Sequence, residues 1–241
     1  MESFHASPVS LLSFRERFRD SRSLEMTCIA YEPAEVAGLL AALSRLERLT
    51  LNDPIRPISS YLPQSGLHGV RHFKVWNIES PTDTELAQLV ERLPALESLS
   101  LHRLHRLTPQ GLAVLGQLPA LSSLSLQDIT GITDCWLAQL SAVPLVELQL
   151  GGSLFHEVTF SAGGLLRLAE SCPTLRRMVL RVDSPSANPI VVNCGPGADS
   201  EQLLQKFQEY VHEQQKQGLS QLSEVFSTNE FEEFEDKDEM D

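Results

Sequence analysis

From Leu93 onward the chain says nearly the same thing twice: LPALESLSLHRLHRLTPQGLAVLGQ is followed at once by LPALSSLSLQDITGITDCWLAQL. Superposing Leu96 on Leu121 also brings Leu99 onto Leu124, Leu101 onto Leu126 and Leu112 onto Leu137. Each copy is a short L-x-x-L-x-L segment, a polar turn and a second apolar segment with helical spacing. A unit of about 25 residues cannot bury its own apolar face, so it needs a like unit on either side. The expected architecture is therefore a stack.

The repeat extends well beyond these two copies. L-x-x-L-x-L variants begin at Leu46, Val70, Leu96, Leu121, Leu145 and Leu175, at intervals of 24, 26, 25, 24 and 30 residues. A degenerate earlier copy is expected at Leu24 and Met26, followed by a helix whose Val36, Leu39, Leu40 and Leu43 share one face. The second unit, counted from the degenerate copy, carries Pro54, Pro57, Pro63 and Gly66, and an irregular loop is expected there in place of a helix. After Val182 the period lapses into SPSANPIVVNCGPGADS, a turn-rich connection with one apolar run at Ile190–Val192. Asp199-Ser-Glu-Gln202 then has the layout of a capping box and opens a helix expected to reach about Gln217. Leu203, Leu204, Phe207, Tyr210 and Val211 form its apolar stripe.

Three of the copies follow their strand segment with x-T-D-x-x-L or a close variant. The steps are Thr82-Asp83 before Leu86, Thr108-Pro109 before Leu112 and Thr133-Asp134 before Leu137, and the helix then runs to a Leu-Pro or Cys-Pro step. With this combination the chain resembles the leucine-rich repeat family, in particular its ribonuclease-inhibitor-like and F-box-associated branch. The resemblance implies an α/β leucine-rich repeat solenoid. A curved parallel sheet would line the concave side and helices the convex side, with a capping helix and an acidic tail at the C-terminal end. The expected divisions are an N-terminal segment and cap (1–45), repeats (46–182), a loop and capping helix (183–226) and a disordered tail (227–241). The cysteine-containing subclass would place a thiol where this chain has Ile78, Leu104 and Ile129, which are expected to serve as buried apolar plugs. No F-box is recognisable ahead of the repeats.

Because side chains alternate along a strand, the residues between the strand leucines face outward into the concavity. That lattice reads Arg48, Thr50, Asn52; His72, Lys74, Trp76; Ser98, Ser100, His102; Ser123, Ser125, Gln127; Glu147, Gln149, Gly151; Arg177, Val179, Arg181. Its single large aromatic is Trp76. A partner-binding patch is expected at His72, Lys74, Trp76, Ser100, His102, Ser125 and Gln127, because Trp ranks among the residues most enriched at binding hot spots. The rival reading folds Trp76 over the end of its strand onto the Pro-rich loop.

The remaining features narrow the function by what they lack. The net charge is −13, of which the last 18 residues, with nine acids and one Lys, account for −8. Nucleic acid is not an expected partner for such a chain. No apolar run reaches the ~18 residues of a membrane helix. Cys28, Cys135, Cys172 and Cys194 lack C-x-x-C spacing and read as free thiols. The Gly195–Gly197 turn lacks the Lys of a phosphate loop, His102 and His105 lack companion ligands, and no Ser, His and Asp assemble a triad. No cofactor, metal or catalytic residue is expected. The first 23 residues mix Arg and Ser with Phe4, Leu11, Leu12, Phe14 and Phe18 and read as an amphipathic cover for the open end of the stack, with a mitochondrial targeting segment as the alternative. The chain thus reads as a cytoplasmic, monomeric, non-enzymatic scaffold or adaptor that binds another protein. A structural subunit of an organellar or ciliary assembly and the substrate-recognition part of a ubiquitin ligase are the alternatives.

Overall fold

The computed structural model describes residues 3–4, 15–77, 81–103, 106–128, 133–151, 160–181 and 188–228, with side chains through 216. In chain order the elements are β1 (Ser3–Phe4), α1 (Arg15–Phe18), β2 (Ser23–Thr27), α2 (Pro33–Ala42), β3 (Arg48–Asn52), α3 (Ile58–Tyr61) and β4 (His72–Trp76). They continue with α4 (Asp83–Arg92), β5 (Ser98–His102), α5 (Pro109–Ala113), β6 (Ser123–Gln127), α6 (Asp134–Gln139), β7 (Glu147–Gly151), α7 (Ala162–Ser171), β8 (Arg177–Arg181), β9 (Ile190–Asn193) and α8 (Ser200–Thr228). The strands form one sheet in sequence order, parallel from β1 to β8, with β9 antiparallel at the edge. The fold is a leucine-rich repeat solenoid.

The strand leucines build the core as their spacing requires. Leu99, Leu124, Leu126 and Leu148 are 0% exposed and Leu101 2%, and the helix leucines Leu112, Leu137 and Leu165 close over them. Registers carry the same positions across the sheet: Leu99 lies beside Leu124, and Leu124 beside Leu148. A second ladder closes the strand entrances, where successive backbone N–H pairs donate to one carbonyl of the preceding unit. Glu47 and Arg48 donate to the Arg22 oxygen, Arg71 and His72 to that of Glu47, and Glu97 and Ser98 to that of Arg71. The exits of β3 to β6 then each turn through a left-handed residue: Asp53, Asn77, Arg103 and Asp128 have φ of 51°, 49°, 59° and 52°. Three of these are Asp or Asn, which tolerate that region best; Arg103 is the exception.

Several expectations change in detail. The Pro-rich second unit holds a four-residue helix, α3, rather than loop alone. Carbonyls at its end are also met from the next unit, where the Arg92 guanidinium donates to the oxygens of Ser59 and Leu62. The N-terminal segment adds strand β1, paired with β2, and buries Phe18 of α1. The apolar run at Ile190–Val192 becomes β9, and it lays Val191 alongside Val179. Val179 is consequently buried, against its expected outward exposure. Helix α8 begins where the capping signal lies, with the Asp199 carboxylate accepting from the Glu201 N–H at 2.9 Å. It runs on to Thr228, past Gln217, because Leu219, Leu222 and Val225 keep the helical spacing. The plugs Ile78, Leu104 and Ile129, His105 and the tail from Asn229 lie outside the described residues.

Candidate functional site

The concave sheet face has the alternation that the repeats demand, with strands β2 to β6 each alternating half-exposed or exposed residues with buried ones. Registry sets the outward side chains in rows. One row runs Arg48, His72, Ser98, Ser123, Glu147, Arg177; the next runs Thr50, Lys74, Ser100, Ser125, Gln149. At about 4.8 Å between strands, neighbours in a row are within contact of one ligand. All of these except Glu147 and Arg177, which pair with each other at 3.1 Å, line an open groove of about 570 Å³.

The aromatic cluster stands within this groove. Trp76 is half-buried, with the Lys74 Nζ 4.3 Å from its ring centroid and the His102 ring 5.6 Å away at a 44° tilt. A cation over an indole face holds both side chains in place, and Trp76 stays partly exposed. His72, Lys74, Trp76, Ser100, Ser125 and Gln127 all line the groove, and His102 joins them through its contact with Trp76. Trp76 therefore lies on the concave surface. The sequence reading did not include Ser23, Arg48, Gln149 and Arg181 in the patch, although each also lines the groove. Their strand positions were the available signal.

Polar residues at the helix N-termini have a different arrangement. Thr82, Thr108 and Ser161 cap α4, α5 and α7, accepting from the N–H groups of Glu85, Gly111 and Gly164. Thr133, at the same place before α6, makes no such side-chain bond. The preceding unit then caps the cap. Asp83 accepts from the Thr108 N–H at 2.9 Å and its hydroxyl at 2.6 Å, and Asp134 accepts from the Ser161 N–H and hydroxyl, both at 2.7 Å. Arg167 adds a 2.6 Å bond to Asp134. Burial works against ionisation there, but these bonds outweigh it and hold Asp134 below the ordinary carboxylate range. The close approach needs glycine opposite: a Cβ on Gly111 or Gly164 would collide with the Asp83 or Asp134 carboxylate. This inter-unit joint escaped the sequence reading. Its signal was Asp at the first helical position followed, one unit later, by Gly at the third.

Chemically reactive groups are sparse. Burial pushes the Cys28 thiol up to about 12, with Asp53 adding to it, and pushes Cys194 to about 11. Neither is a thiolate at neutral pH. Among the described residues no cluster of His, Cys, Asp and Glu could hold a metal ion, and no helix is long and apolar enough to cross a membrane.

No family model matches the chain, and neither does any curated protein sequence. Solved structures match it at low identity. A chain of the Toll–Spatzle complex from Drosophila matches at 14% identity and a TM-score of 0.47, over 69% of this chain and 24% of that one. A chain of the yeast Rad7–Elc1 complex matches at 18% and 0.45, over 74% and 56%, and the tropomodulin C-terminal domain of Caenorhabditis elegans at 13% and 0.31, over 89% and 99%. This chain spans about a quarter of the first of these and about half of the second.

Proposed function

We propose that the chain is a non-enzymatic interaction scaffold or adaptor that binds a protein partner on its concave face, around Trp76. The observation that carries this reading is the Trp76 cluster: a half-buried indole, backed by Lys74 and flanked by His102, at the head of an open groove. A large aromatic that is held rigid but left accessible loses little entropy on binding and buries much area, which is the profile of a hot spot. The surrounding Ser98, Ser100 and Ser123 make no side-chain hydrogen bond among the described residues, so their hydroxyls are available to a partner. Assignment to the ribonuclease-inhibitor-like branch belongs to the same proposal, supported by the Thr-Asp step and the 24- to 26-residue period of the central units.

The test has two stages. Affinity purification of the full chain identifies the partner, and calorimetry then compares the wild type with Trp76→Ala. The expected loss is about 2 kcal/mol or more of binding with the melting temperature nearly unchanged. If Trp76→Ala lowers stability and spares binding, the recognition surface lies elsewhere.

A further inference from the structure

Among the described residues the concave groove is lined by Arg48, Lys74 and Arg181, with His72 beside them, and by no carboxylate, Glu147 of the same face standing outside it in its pair with Arg177. That is a local inversion of charge in a chain of net charge −13. None of the three cations takes part in an ion pair among the described residues. The acids that would complement them are concentrated at the other end of the sequence, where Asn229–Asp241 carries eight acids and one Lys around Phe231 and Phe234. We propose that residues 229–241 dock back into the concave groove of the same chain, their carboxylates meeting its cations, Lys74 above all. A protein partner must then displace them. This inference rests on the reading of the concave face as the recognition surface.

Helix α8 puts the tail within reach. Its Tyr210 hydroxyl and Gln214 amide both donate to the Arg181 carbonyl, at 3.4 and 3.2 Å, so the helix lies against the strand end whose side chain lines the groove. From Gln214 to Thr228 the helix adds about 21 Å at 1.5 Å per residue. From β8 to β4 is four strand spacings, about 19 Å. Thirteen extended residues span up to about 43 Å, enough to reach Lys74 even if the helix pointed directly away. A segment tethered this closely acts at an effective concentration on the order of 1 mM. An intrinsic dissociation constant of about 0.1 mM would therefore keep the groove roughly nine-tenths occupied. Opposite charges along a groove of this kind attract strongly at low ionic strength and weakly at high.

The four lysines of the chain are Lys74, Lys206, Lys216 and Lys237, so zero-length carbodiimide cross-linking of the full chain gives a direct readout. At low salt and high dilution the expected product is an amide between the Lys74 Nζ and a carboxylate of residues 229–241. It should be lost at about 0.5 M salt. A mixture of isotopically light and heavy chains reports whether the link is within one molecule. Absence of a Lys74 link, while Lys206 still links to Glu209 on its own helix, overturns the proposal. So does a link found only between light and heavy chains, which would make a second copy the occupant. Partner binding provides the other arm: a full-length variant with Glu230, Glu232, Glu233 and Glu235 changed to Gln should bind the purified partner about tenfold more tightly. If the Lys74 link forms but this variant binds the partner unchanged, the tail docks and the concave face is not the partner's site. If the link fails while Trp76→Ala weakens the partner, the concave-face reading stands and the tail docking falls.

Discussion

On the concave face the hydroxyls of Ser98, Ser100 and Ser123 have no side-chain partner among the described residues, while along the helix N-termini those of Thr108 and Ser161 are each held by an aspartate of the preceding unit. Both surfaces are polar, both repeat with the unit, and both are partly exposed. They differ in where their hydrogen bonds go. At the helix edge donors and acceptors are matched between units, so the edge joins one repeat to the next. On the sheet face the side chains stand in rows with their polar ends turned to the groove, so the chemistry there is free for a ligand. Substitutions at the helix edge should therefore show in stability and those on the sheet face in binding.

The largest effect lies beneath both surfaces and sets the scale. Leu124→Ala removes a 0% exposed side chain from the sheet core and should cost about 2–5 kcal/mol in urea unfolding. The damage should spread to neighbouring units, because each repeat supports the next. An unmoved midpoint would show that the repeat register is wrong.

Next in size is the coupling across the inter-unit joint. Asp83→Ala deletes two hydrogen bonds to Thr108 and should cost about 1 kcal/mol. Gly111→Ala in the wild type forces that carboxylate aside, whereas in the Asp83→Ala background it should stabilise the helix by about 0.5–1 kcal/mol. The double-mutant cycle then reads a coupling of about 1 kcal/mol or more. Additive effects would mean that the joint does not hold.

A smaller effect follows the pH dependence of Asp134. Its folded-state pKa is lowered, so the stability it contributes is present above the unfolded carboxylate range and is lost as pH falls through the folded value. Urea unfolding from pH 6 down to about pH 2 should show a shallower acid slope for Asp134→Asn than for the wild type. Identical slopes would remove Asp134 from the joint.

The smallest effect tests the sheet face. Ser125→Ala, one residue from Leu124 on the opposite side of the strand, should leave the unfolding free energy within about 0.5 kcal/mol of wild type. A change as large as that of Leu124→Ala would erase the distinction between the two surfaces.

How much of this was legible in the sequence depends on the range of the interaction. The strand leucines, the helix after each Thr-Asp step and the outward rows from Arg48 to Gln127 follow from a period of two laid on a period of about 25, so local spacing determined them. Spacing also named His102 as a neighbour of Trp76, since adjacent units stack. The tertiary structure alone decided what depends on contact between units. Examples are the aspartate joint with its opposing glycines, the Arg92 guanidinium that satisfies the carbonyls of the Pro-rich unit, and the antiparallel β9 that buries Val179. Hydrogen bonds across units join residues some 25 to 33 positions apart, at distances fixed by the superhelical stacking rather than by any segment's own propensity. The cationic lining of the groove is of the same kind: Arg48, Lys74 and Arg181 face one groove only because the sheet carries them there, strand by strand.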